Sequence, residues 1–319
     1  MKSSLRVMNS DSLPDLSVVI DAFWAGPDDF LALRANLETV VKDLKSTGAA
    51  FEVLVMASRT AELSIEGLSI VNCKGAGGYE RKSLGFARAR AALVVFLDGD
   101  CRPDPEFFHR LRRRFKEEPG LRALTGSLRY EGESYLSRLN SVLSFGPLFE
   151  TQSSLDENFI CNTNNFALRQ DGVPEPLFGS WKGRVNGDSY ISRWFYEQGT
   201  PIVVDPELKI RHADLSFSVM ALLERHFREY LRRLRSPEEL SPRRASSWRM
   251  LRSMMFSFRD RTHRFARYSK HIEFSNIERW GAPFVFVLYA LLDAVALACL
   301  MSVPYLAKRW FSYQEGRSF

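Results

Sequence analysis

Apolar positions along the chain alternate between two periods. Leu16–Phe23 (LSVVIDAF) is a short β-branched run with the character of a buried strand. Phe30, Leu33, Leu37, Val40, Val41 and Leu44 then recur at helical spacing, and Gly48 can close that helix. FEVLVMAS and LSIVNC predict a second and a third strand, SLGFARARAA a helix of small residues, and LVVFLD a fourth strand. DPEFFHRLRRRFKEEPG is an amphipathic helix pattern that turns Phe107, Phe108, Leu111 and Phe115 inward. LRALTGSLRY, a further helical region and NFICNTNNFALRQ follow, then a helix, GDSYISRWFYEQG, and an extended stretch, TPIVVDPELKIRH. Strands alternating with helices predict an α/β fold, Rossmann-like, with a mostly parallel sheet flanked by helices. Ligands of such sheets bind at the carboxyl ends of the strands.

Beyond His212 the pattern changes to basic amphipathic helices, Val219–Arg235 and Ala245–Phe265, and then to an apolar run. Gly281–Ala307 spans 27 residues with one charge, Asp293. As a helix it would be about 40 Å long at ~1.5 Å per residue, against a hydrocarbon core about 30 Å thick. Arg279 and Trp280 on one side, and Lys308, Arg309 and Trp310 on the other, suit two membrane interfaces. The expected organisation is an α/β domain over 14–215, a basic helical region over 216–272, and a hydrophobic membrane helix with a short tail over 273–319. A buried helix in an oligomer and a shallow re-entrant helix are the competing readings of the last segment.

Composition sharpens this picture in two ways. Apolar residues make up 45% of the 319, ample for a core, and the net charge is +6. Between Arg211 and Lys270 stand 15 Lys/Arg against 6 Asp/Glu, so the excess sits in the C-terminal third. That block suits anionic lipid; nucleic acid is not an expected partner, because no recognised binding module accompanies it. Four scattered cysteines without a CxxC pair fit neither a zinc site nor a disulfide framework. The first residues lack an apolar core, so no signal peptide is expected.

The candidate chemistry lies where the fourth strand ends. Asp98 and Asp100 flank Gly99, and residues i and i+2 of an extended segment point the same way. Two carboxylates ~4 Å apart repel by about 4 kcal/mol at an effective dielectric of 20. A hard divalent cation reverses that sign. The pair is therefore a candidate cation site, although the tripeptide alone also suits a surface turn.

KSLGFARARAALVVFLDGDCRPDPEFF resembles the core of the family 2 glycosyltransferases with the GT-A fold, in which an Arg-Asn-x-Gly helix precedes a strand ending in Asp-x-Asp. Lys82, Ser83 and Gly85 take the Arg, Asn and Gly places. NTNNFALRQ resembles the family's Asn-rich stretch, and VNGDSYISRWFYEQGTPIVVDPELKIRH its Glu-Asp-x-x-Leu-x-x-Arg…Gly…His block, with Asp188, Arg193, Gly199 and His212 in register. The likeness runs from about Leu16 to Asp214.

The resemblance implies roles. Asp98 would contact the donor ribose or the metal, and Asp100 would bind Mn²⁺ or Mg²⁺ bridging two phosphates, with His212 as a second ligand. Imidazole suits manganese better. Asp188 would be the general base for inverting transfer to an acceptor hydroxyl; as an Asp ahead of a helical run it could equally be an N-cap. Lys82 is either a donor-phosphate partner or a solvated helix lysine. Asn165 and Arg169 line the donor site or serve turns, and Trp181 stacks on an acceptor sugar or fills the core.

Departures from the family pattern touch the nucleotide. The first strand ends Asp21-Ala22-Phe23-Trp24 in place of Pro-x-Tyr-Asn, and the second ends Met56-Ala57-Ser58 without the acid that reads the base. Asp21 is a candidate substitute on the donor side. Gly187 replaces the Glu before the base. The expectation is a membrane enzyme on the cytoplasmic face, joining a nucleotide-sugar donor to a sugar or lipid-linked sugar acceptor in cell-envelope polysaccharide or glycolipid synthesis, with membrane lipids as partners. The alternative is an inactive relative that binds at the membrane as a scaffold.

Overall fold

The structure is a computed structural model and describes residues 13–22, 27–57, 65–150, 152–157, 159–173, 177, 187–213 and 247–302. Its first half follows the expected alternation: β1 (Leu16–Ala22), α1 (Pro27–Ser46), β2 (Phe51–Ala57), β3 (Leu68–Asn72), α2 (Gly78–Arg88) and β4 (Leu93–Asp98). β3, β2, β1 and β4 lie side by side, all parallel. Neighbouring residues on a strand serve opposite faces. Val18, Ile20, Val95 and Leu97 enter one core with α1, while Val19, Val94 and Phe96 enter the other with Phe86 of α2. That burial on both faces explains why these strands read as unbroken apolar runs.

The second half departs from a mostly parallel sheet. It contains β5 (Cys101–Pro103), α3 (Phe107–Glu117), β6 (Ala123–Tyr130), α4 (Tyr135–Phe145), β7 (Gln152–Ser154), β8 (Asn165–Arg169), α5 (Gly187–Glu197) and β9 (Ile202–His212). The nine-stranded sheet runs β3-β2-β1-β4-β8-β6-β9-β5, with β7 pairing β9. β8 is antiparallel to both β4 and β6, and β5 and β7 are antiparallel to β9; only β6 and β9 add a parallel pair. β6, reached through α3, keeps the direction of β4, and β8 is inserted between the two, running back.

The C-terminal helices are α6 (Ser247–Tyr268) and α7 (Asn276–Ser302). The predicted helix over 219–235 lies outside the described residues. α6 covers most of the second predicted basic helix and packs on α4 and α7. α7 begins five residues before the predicted apolar helix. Its Asp293, the one charge of the apolar run, is buried against α6, where it accepts from Ser257 Oγ at 2.6 Å and pairs with Arg261 at 2.9 Å. Among the described residues no helix is long and apolar enough to cross a membrane.

Candidate active site

Three carboxylates meet at the carboxyl end of the parallel strands, and each has its own cationic or basic partner. Asp21 of β1 is the register neighbour of Asp98 of β4. α2, lying across these strand ends, supplies two cations in succession. Arg81 forks onto Asp21 and the Ala76 carbonyl. Lys82 forms an ion pair with Asp98 at 2.6 Å. Asp100, two residues on, turns away to His212 of β9, with Oδ2 3.7 Å from Nε2. The like charges are thus separated onto different partners. Burial pushes the Asp21 carboxyl up against the pull of Arg81, and it does the same to Asp100 against the pull of His212.

The turn carrying Asp100 is pinned from three sides. Gly99 N–H donates to the Asp21 carbonyl at 2.9 Å, Asn36 Nδ2 donates to the Gly99 carbonyl at 3.0 Å, and Ala213 N–H donates to the Asp100 carbonyl at 2.9 Å. A Cβ at position 99 would stand 2.6 Å from the tip of the Leu33 side chain, which would have to shift to admit it. The antiparallel pairing of β5 with β9 sets Cys101 opposite His212, which places both side chains on one face. The ligand atoms of Asp100, Cys101 and His212 lie within 4.8 Å of one another. Asp98 is not among them. The His212 ring is held edge-on by Tyr130, with centroids 5.5 Å apart. Burial holds the Cys101 thiol well above its ordinary range.

Asp188 stands in the first turn of α5 and faces back to the loop before β8. Its Oδ1 accepts twice from Thr163, from the backbone N–H at 3.1 Å and from the hydroxyl at 2.6 Å. Lys82 joins this corner to the strand ends. Its ammonium, 3% exposed, donates to the Thr163 carbonyl and hydroxyl at 3.1 Å each and to Asn164 Oδ1 at 3.3 Å. Burial opposes its charge, yet Asp98, Asp21 and Asp188 around it raise its pKa overall. A chain of contacts therefore runs from Asp98 through Lys82 and Thr163 to Asp188.

The other expected residues fall elsewhere. Asn165 is buried and spends its amide on the Ser127 and Leu208 carbonyls, where the β6–β9 pairing slips register. Arg169 pairs with Leu93 at the opposite end of β4 and donates to the Leu121 and Phe115 carbonyls. It stands at the amino end of β4 and does not reach the acids. Trp181 lies outside the described residues. Gly187 has a packing reason, since a Cβ there would run into the Tyr79 ring. Arg81, Cys101 and Thr163 were not singled out from the sequence. Each stands next to a residue that was, or to its loop, but their partners come from distant strands.

No curated protein matches the chain. Among solved structures it is similar to the mannosyltransferase PcManGT from Pyrobaculum calidifontis, solved in complex with GDP-Man and Mn²⁺. The identity is 12%, over 92% of this chain and 88% of that one, with a TM-score of 0.49. Residues 35–175, which hold Lys82, the Asp98–Asp100 turn and the Thr163 loop, match the family model described as Glycosyl transferase family 2, and the chain thereby carries a glycosyltransferase domain.

Proposed function

We propose that this domain moves a sugar from a nucleotide-diphosphate donor to an acceptor hydroxyl, with a divalent cation at Asp100 and His212 and with inversion at the anomeric carbon. The observation that carries the reading is the meeting of Asp100 and His212 at 3.7 Å, beside the Asp98–Lys82–Thr163–Asp188 chain. The pairing of a carboxylate with an imidazole suits Mn²⁺ better than Mg²⁺. When bound there, the cation supplies Lewis-acid neutralisation of the leaving diphosphate.

The chain's own residues do the rest. Thr163 fixes Asp188 through Oδ1, so that Oδ2 is the oxygen presented to the acceptor. As the acceptor oxygen attacks the anomeric carbon in line, its proton passes to Asp188 and the bond to the diphosphate breaks. Lys82 is committed to protein partners and holds the donor-side and acceptor-side acids at a fixed separation. Asp21, held by Arg81 at the next strand end, is the acid available on the donor side in the absence of one after Ala57. The acceptor is a sugar or a lipid-linked sugar of cell-envelope polysaccharide or glycolipid synthesis. A nucleotide donor favours the cytoplasmic face.

The test is turnover of a nucleotide-sugar panel by the full chain with Mn²⁺. Asp188→Asn should lose transfer by at least about 10²-fold while still binding nucleotide. If no donor is bound or consumed, and Asp100→Ala changes nothing, the protein is a scaffold of this fold.

A further inference from the structure

The carboxylate of Asp100 has a second neighbour besides His212. Its Oδ2 is 3.7 Å from His212 Nε2, and its Oδ1 is 3.8 Å from Cys101 Sγ. Cys101 is the register partner of His212 across the β5–β9 pair, so thiol and imidazole stand side by side on one face. The thiol is 1% exposed and the Asp100 side chain 52%, which puts sulfur on the protein side of the group and oxygen on the solvent side. Ligand atoms ~2.0–2.3 Å from a tetrahedral cation are roughly 3.3–3.6 Å apart. The two distances from Asp100 need to close by only a few tenths of an ångström, and all three ligand atoms already lie within 4.8 Å of one another.

The imidazole is set for binding. His212 Nδ1 lies 3.0 Å from the Ala213 carbonyl, which can only accept, so Nδ1 carries the proton and the neutral ring turns the Nε2 lone pair to Asp100. A cysteine in a core commonly packs as a small apolar residue. Cys73 and Cys161 are also buried, but among the described residues Cys101 is the cysteine that falls in a group of three metal-donating side chains.

We propose that Cys101 is the third protein ligand of the cation, and that it gives the site an affinity for thiophilic divalent ions, of the zinc, cobalt and cadmium kind, that Asp100 and His212 alone would not supply. This role deepens the cation reading given above and rests on it. On coordination the S–H bond breaks, the proton passes to solvent and the sulfur binds as thiolate. Softness is what the third donor adds, since thiolate favours zinc and its kin whereas oxygen donors suit Mg²⁺ and Mn²⁺.

The experiment titrates the reduced, metal-free full chain with Co²⁺ in the absence of oxygen and follows absorption. The wild type should develop a thiolate-to-cobalt charge-transfer band in the near ultraviolet, with a one-to-one end point. Cys101→Ala should lose the band. In competition against Mn²⁺, read by electron paramagnetic resonance, Cd²⁺ should bind Cys101→Ala at least about tenfold more weakly than wild type. Mn²⁺ itself should change by less than about threefold. An unchanged thermal midpoint separates these losses from misfolding, and if the variant does not fold the wild-type spectrum decides alone. Absence of the wild-type band overturns the proposal, and so does a band that survives Cys101→Ala. Wild-type protein that holds Mn²⁺ but shows no cobalt–thiolate band removes Cys101 and leaves the sugar-transfer reading standing. Binding of neither ion removes both. A Cys101-dependent band in a protein that turns over no nucleotide sugar removes the sugar-transfer reading alone.

Discussion

Lys82 is the residue on which the site's electrostatics turn. It is almost fully buried and faces Asp98, with Thr163 and Asn164 completing its shell. Removing one member of a buried ion pair leaves the other uncompensated, at about 3–5 kcal/mol. Asp98 keeps a quarter of its side chain exposed, so Lys82→Met should cost about 3 kcal/mol, read by urea unfolding. Thr163 acts on Asp188 through position alone. Thr163→Val should lower kcat by about tenfold with KM retained, and Thr163→Ser, which keeps the hydroxyl, should restore it. Asp98 and Asp100 were legible in the sequence because an apolar strand and two acids are neighbours along the chain. Their separation onto Lys82 and His212 was not, because those partners arrive from α2 and β9. Arg169 misleads for the same reason: a basic residue closing an Asn-rich stretch looks like a ligand, and only the antiparallel register puts it at the other end of the strands.

Elements decide how firmly these residues are held. α2 must lie close to β1 and β2 for Arg81 and Lys82 to reach the strand ends, and Gly85 permits that approach. A Cβ there would press on Val19 and stand 3.1 Å from Met56 Cγ. Gly85→Ala should destabilise by about 1–3 kcal/mol and loosen the Lys82–Asp98 pair with it. That glycine was legible as a motif position, and the structure supplies its packing reason. The mixed half of the sheet was less legible, since β8 inserts between β4 and β6 from far along the chain and no periodicity marks that pairing.

Glu150 ties the end of α6 and the turn after it to the catalytic half. Lys270, His271 and Arg267 converge on its carboxylate, Lys270 foremost, and lower its pKa to about 2 from 4.5. A carboxyl depressed in the folded state adds stability above its unfolded value and loses it as pH falls toward the folded one. Between pH 4.5 and 2 the thermal midpoint of the wild type should therefore fall more than that of Glu150→Gln. High salt should shrink the difference, because the group lies near solvent.

At the scale of the whole molecule, two regions carry most of the exposed chemistry. The strand ends gather Asp21, Asp98, Asp100, His212 and Asp188 into one acidic site threaded by buried cations. The C-terminal helices carry exposed apolar side chains, Phe284 and Leu288 among them, and exposed arginines. Sequence reading singled out separate pieces of each, because only those pieces are runs continuous along the chain. A membrane span for the last helix is not shown among the described residues, and hydropathy alone could not show that Asp293 has Arg261 beside it. The central claim is that Asp100 and His212 together hold a divalent cation. Electron paramagnetic resonance titration of Mn²⁺ with the wild type, Asp100→Asn and His212→Ala tests it directly. The account predicts tight binding by the wild type and a loss of at least about tenfold in each variant, in line with removal of one protein ligand. Equal Mn²⁺ binding by all three proteins would contradict it.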